Sequence, residues 1–129
     1  MKILSLSLML ALAAPAFADD VKRHVVHFAA GTSGTTVHGH LKGYESVQYV
    51  LGVTAGQKMD VQLDSKNTSL YFNITGPGAS AAMYNSSIDG NGTSVTIPSS
   101  GNYVVDVYLM RNAARRDETA KYTLTLYVE

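Results

Sequence analysis

Apolar residues recur at every second position along most of the chain, the spacing of strands with one buried face. Val47, Tyr49, Leu51 and Val53 alternate with Ser46, Gln48, Val50 and Gly52. Met59, Val61 and Leu63 alternate with Lys58, Asp60, Gln62 and Asp64. Leu70, Phe72 and Ile74 share one face of a third segment. Tyr103, Val105, Val107 and Leu109 form a fourth row, and Tyr122, Leu124, Leu126 and Val128 a fifth. Segments near 21–28 and 35–42 alternate less cleanly, and Ser94–Ile97 reads as a short strand. The opposite positions are mostly polar, so each strand has one face toward a core and one toward water.

Between these rows lie turn-forming residues: Thr54-Ala55-Gly56-Gln57, Gly76-Pro77-Gly78, Asp89-Gly90-Asn91-Gly92 and Pro98-Ser99-Ser100-Gly101-Asn102. Strands at regular spacing joined by such turns predict an all-β fold, a single antiparallel sandwich of about eight or nine strands. Asp89–Gly92 has the chemistry of a hairpin turn. One stretch breaks the pattern. Arg111-Asn112-Ala113-Ala114-Arg115-Arg116-Asp117-Glu118 holds no β-branched residue and has a helix-forming centre. It predicts a short helical turn near 111–117, with Arg111 and Arg115 on one side at i, i+4.

The first 18 residues are set apart. Lys2 precedes an apolar run from Ile3 to Ala14, and Ala16-Phe17-Ala18 leads into Asp19-Asp20. This is the layout of a cleavable signal peptide, with cleavage expected after Ala18. The run is too short for a bilayer span, and no cysteine follows it for lipid attachment. The expected product is a periplasmic or secreted β-sandwich domain over 19–129, 111 residues long, with no membrane association. That length buries one core without covalent staples.

Composition narrows the chemistry. The 129 residues contain no cysteine and no tryptophan. Disulfides, thiolate metal sites and cysteine nucleophiles are therefore excluded. Ten basic side chains balance ten acidic ones, which gives no bulk case for nucleic-acid binding. Removing Lys2 leaves nine against ten, a net charge of −1. The charge is nonetheless uneven: Arg111, Arg115 and Arg116 are three of the four arginines in the chain.

No other constellation compels an activity. His38 and His40 share a strand face, as some metal ligands do, but no carboxylate lies at a matching offset. The Asp89–Gly92 loop lacks the terminal glutamate of a calcium loop. Gly31-Thr32-Ser33-Gly34 has the wrong spacing for a nucleophile elbow. The sequons at Asn67, Asn73, Asn85 and Asn91 read as ordinary turn and strand residues. The expectation is a non-enzyme with no cofactor and no metal.

Several segments occur together in an order and spacing that carry a resemblance. They are Gly39-His40-Leu41-Lys42-Gly43-Tyr44, then Tyr49, Ala55-Gly56-Gln57-Lys58 and Gly76-Pro77-Gly78. Ile97-Pro98-Ser99-Ser100-Gly101-Asn102-Tyr103, Arg111-Asn112-Ala113-Ala114-Arg115 and Lys121-Tyr122 follow. Over about residues 25–129 the chain resembles the bacterial periplasmic inhibitors of goose-type (g-type) lysozyme. More broadly it is similar to the bacterial pre-peptidase C-terminal domains. Ala79–Asp89 departs from the inhibitor pattern. The resemblance implies a protein partner, a g-type lysozyme. It also implies that Tyr44, Arg111 and Arg115 form the surface that enters the lysozyme cleft, with Asn112 and Arg116 as support. The chemistry is coherent: glycosidase clefts are lined with carboxylates, and arginine pairs with carboxylates bidentately. Tyrosine adds a rigid, amphipathic stacking surface. The competing reading is a non-catalytic envelope or glycan-binding module of the pre-peptidase class, using Tyr71, Tyr84, Tyr108 and Tyr127.

Overall fold

The computed structural model describes residues 21–29 and 31–129. The signal segment and its cleavage site lie outside the described residues. The described residues form nine strands: β1 Val21–Val25, β2 Gly34–Lys42, β3 Ser46–Val53, β4 Lys58–Ser65, β5 Leu70–Thr75, β6 Tyr84–Asn85, β7 Gly92–Thr96, β8 Gly101–Leu109 and β9 Thr119–Val128. Two short helices interrupt them, α1 Ser86–Asp89 and α2 Arg111–Arg115. The strands make two layers, a five-stranded sheet ordered β1-β3-β8-β5-β6 and a four-stranded sheet ordered β2-β9-β4-β7. Every pairing is antiparallel except one: edge strand β1 runs parallel to β3, from Val21 beside Ser46 to Val25 beside Val50.

The period-two rows become the core. Tyr49, Leu51, Phe72, Ile74, Val105 and Val107 from one sheet meet Leu41, Met59, Val61, Tyr122, Leu124 and Leu126 from the other. Packing of this kind is the main favourable term in a cysteine-free domain. Two tyrosines reach across the layers. The hydroxyls of Tyr49 and Tyr122 are 2.7 Å apart and buried. Burial raises the pKa of both phenols, and the partner hydroxyl raises that of Tyr122 further. Gly39 on β2 makes room for this arrangement. A Cβ there would overlap the Tyr122 ring.

The Asp89–Gly92 segment is not the hairpin turn that its residues suggest. Residues 86–89 close into α1, and the Gly90 N–H donates to the Ser86 carbonyl. Gly90, at φ 102°, then redirects the chain from the five-stranded sheet to β7 in the other. Local turn chemistry is satisfied equally by a helix end, and long-range pairing of β7 with β4 decides between them.

Three crossings between the sheets lie at one end of the sandwich. Lys42 pairs beside Thr119, Ser65 beside Tyr122, Ser46 beside Tyr108 and Leu70 beside Leu109. The β2–β3, β4–β5 and β8–β9 connections therefore meet there, and the last of them contains α2.

The tyrosine pair yields a double-mutant test. Tyr49→Phe or Tyr122→Phe alone leaves a buried hydroxyl unpaired and should cost about 1–2 kcal/mol in urea unfolding. The double variant should cost less than the sum of the two. Because both phenols stay protonated in the folded state, stability should fall as pH rises past the unfolded value of about 10. The double variant should flatten that fall; an unchanged alkaline profile would contradict the pairing.

Candidate functional site

The shared end of the sandwich is tied together by backbone and side chain. The Gly43 N–H donates to the Glu118 carbonyl at 2.9 Å, joining the β2–β3 turn to the segment after α2. Gly43 has φ 61°, and a Cβ on it would sit 2.6 Å from Asp117 Oδ1. Asp117 also adopts a positive φ, 57°, and pairs with Lys42 at 3.1 Å. Inside the turn, the Lys42 N–H donates to Glu45 Oε1 at 2.7 Å. Tyr44 is thereby held at the tip, 53% exposed.

Helix α2 is seated by its two alanines. Ala113 and Ala114 are buried against the core, which turns Arg111, Asn112 and Arg115 outward. Asn112 Oδ1 accepts the N–H of Ala113. Glu118 anchors the end of this segment. Its carboxylate accepts from Arg116 at 2.8 Å and from Asn67 at 3.1 Å, and these bonds hold its pKa below the ordinary value. The Met110 N–H donates to the Ser69 carbonyl, tying the front of α2 to the β4–β5 connection.

The structure brings Tyr44 and Arg111 to the same open groove of about 410 Å³. Glu45, Ser46, Asp106 and Tyr108 also line it. Arg115 lies one helical turn beyond Arg111, exposed and outside that lining. Among the described residues neither Arg111 nor Arg115 has an ion-pair partner, whereas Arg116 is bound to Glu118. Tyr44, Tyr108 and Arg111 place two phenols and one cation along the groove, and Arg115 adds a second cation beside it.

The other candidate residues lie elsewhere. His38 and His40 are exposed on β2, with His38 Nδ1 3.2 Å from Thr123 Oγ1. Among the described residues no group of three or more His, Asp or Glu side chains is placed to hold a metal. The tyrosines of the glycan-binding reading are only partly available. Tyr71, Tyr84 and Tyr108 are partly buried, and Tyr127 is 40% exposed. Tyr84 stacks on Phe72 and donates to the Gly90 carbonyl, and Tyr108 donates to Asn73.

Comparison with known proteins now decides the family. A curated inhibitor of g-type lysozyme from Escherichia coli (strain K12) is 30% identical over 108 residues, which cover 81% of this chain and 79% of that protein. The chain belongs to the family of g-type lysozyme inhibitors. No protein-family model matches it. Two crystal structures of periplasmic inhibitors of g-type lysozyme are similar to this inhibitor-family chain. The one from Aeromonas hydrophila superposes with a TM-score of 0.80 at 31% identity, covering 87% of this chain and all of the other. The one from Salmonella Typhimurium gives 0.69 at 31% identity, covering 84% and 98%. The pre-peptidase C-terminal domain of a Bacillus anthracis collagenase shares the fold at 16% identity, with a TM-score of 0.55 over 86% of this chain and 96% of its own.

Sequence reasoning offers Glu118 as a partner for Arg111 and misses its bonds to Arg116 and Asn67. Its role depends on Asn67 and Gly43, which lie 51 and 75 positions away. Gly43→Ala tests the tip: a left-handed backbone there should cost about 1–2 kcal/mol of stability. Circular dichroism melting should show the loss, with any inhibitory activity falling alongside it. A variant as stable as the parent would show that the turn does not require glycine.

Proposed function

We propose that this chain is a periplasmic inhibitor of a g-type lysozyme, and that Tyr44, Arg111 and Arg115 block the lysozyme's carboxylate-lined cleft. The observation that carries the reading is the meeting of Tyr44 and Arg111 at one groove, with both cleft-directed arginines unpaired. An arginine already paired within the fold would have to break that contact before binding. These two do not, so their guanidinium groups are available to a partner's carboxylates. Family membership and the two similar periplasmic inhibitors support the partner class. The signal-like segment over residues 1–18 supports export, with cleavage after Ala18.

The physical logic of inhibition follows. A cleft that stabilises a cation-like transition state carries negative potential. Guanidinium groups satisfy that potential and present no bond to cleave. A tyrosine ring supplies rigid apolar area at low entropic cost, and Tyr and Arg are enriched among interface hot spots. Anchoring α2 through Ala113, Ala114 and Glu118 limits the ordering that binding requires.

The decisive assay follows the clearing of a peptidoglycan suspension by g-type and by chicken-type lysozyme, with and without the mature protein. Inhibition of the g-type enzyme at micromolar protein is expected; its absence would refute the reading. Arg111→Ala and Arg115→Ala should each weaken inhibition by about 2 kcal/mol, near thirtyfold. Full potency in both variants would move the binding surface elsewhere.

A further inference from the structure

Edge strand β1 carries inverted polarity. Its parallel register sets Lys22 beside Val47 and His24 beside Tyr49. Val47 and Tyr49 belong to the core, so Lys22 and His24 take the inner face of their strand. Val21 and Val25 take the outer face, 51% and 60% exposed, with Arg23 between them donating to Gln48. A charge on the inner row of an edge strand guards that edge against pairing. On β1 the inner row also opens onto a recess. β1 and β2 are edges of the two sheets, and a cleft of about 430 Å³ lies between them. Val37, Val47, Tyr49 and Tyr122 form its apolar wall. The four histidines of the chain, His24, His27, His38 and His40, all line it together with Lys22. Among the described residues no carboxylate does. His24 is stacked on Tyr49, with ring centroids 5.7 Å apart. The wall hydroxyls of Tyr49 and Tyr122 bond each other, and His38 Nδ1 meets Thr123 Oγ1. Lys22 and the other imidazoles are the donors that remain. An apolar recess with a few polar groups is the usual form of a small-ligand site.

We infer that this cleft binds an amphipathic anion. Its carboxylate or phosphate head meets Lys22 and the histidines, and its apolar part lies against Val37, Val47 and the Tyr49 ring. The inference goes beyond the lysozyme reading, and the cleft shares no lining residue with the Tyr44–Arg111 groove. Charge selects the head: a lysine and imidazole donors without a carboxylate favour an anion over a cation. The wall selects the rest, since an alkyl chain removes its apolar area from water and an inorganic anion does not. Edge protection alone accounts for Lys22, but not for the imidazoles or the recess.

The test titrates octanoate and octyl phosphate, each below its micelle concentration, into the isotope-labelled mature protein and follows backbone amide shifts. Octanol, octyltrimethylammonium and zinc chloride are the controls. At least one anion should shift amides of β1, β2 and Tyr49 saturably, and the tighter one identifies the head as carboxylate or phosphate. Lys22→Gln should weaken that binding about tenfold. Arg23→Gln removes the same charge from the opposite face of β1 and should leave binding unchanged. Both side chains are exposed, so both variants should melt with the parent. No saturable shift with either anion would overturn the inference. So would equal binding of octanol or the ammonium, full binding by Lys22→Gln, or an equal loss in Arg23→Gln. A Lys22→Gln chain that unfolds, or that self-associates on size exclusion, would show Lys22 to be structural and also overturn it. Shifts with zinc alone would make the cleft a metal site instead.

Discussion

The bond from Gly43 N–H to the Glu118 carbonyl is the contact on which the candidate site depends. It joins two connections that each cross between the sheets, one carrying Tyr44 and the other Arg111 and Arg115. Either connection alone would be a surface loop with exposed polar backbone, and such segments are the mobile parts of most folds. Linked, they share one geometry. The link needs a backbone at Gly43 that bulky residues resist, and a close approach to Asp117 that a Cβ would obstruct. The sandwich beneath supplies the remaining constraint. Ala113 and Ala114 are small enough to sit on the core, so the cationic face of α2 has one direction available to it.

Much of the fold was legible from alternation alone. The rows at 47–53, 59–63, 70–74, 103–109 and 122–128 became buried strand faces, because period-two burial is a local property of each strand. The helical turn was legible because 111–118 lacks the β-branched residues of its neighbours. The parallel pairing of β1 was not, since direction is set by the partner strand rather than by the segment. The misread at Asp89–Gly92 has the same origin: glycine and asparagine allow a hairpin, a helix end or a crossing, and tertiary pairing chooses.

The site was legible in unequal parts. Tyr44, Arg111 and Arg115 were named through the family motif. Geometry adds that Tyr44 and Arg111 share a groove while Arg115 stands beside it. Arg116 read as a supporting charge for a partner, and within the fold it pairs with Glu118 while its side chain stays 59% exposed. Asp106 and Glu118 read as acids that Arg111 could pair with, and among the described residues neither forms that ion pair. Asp106 also occupies a polar position in an alternating strand, which reads as a solvated residue. The structure sets it between Gln48 and Asn73, with one of its oxygens dry.

A net charge near zero is compatible with a charged partner, because recognition depends on placement. Two unpaired arginines on a turn would attract many acidic surfaces, and such contacts are weak and salt-sensitive when exposed. Specificity needs a feature that penalises the wrong partner. On the proposed reading a tip tied to the fold does this through shape. The neutral composition is a sum over the whole chain and does not describe the tip, where among the described residues Arg111 and Arg115 have no ion-pair partner.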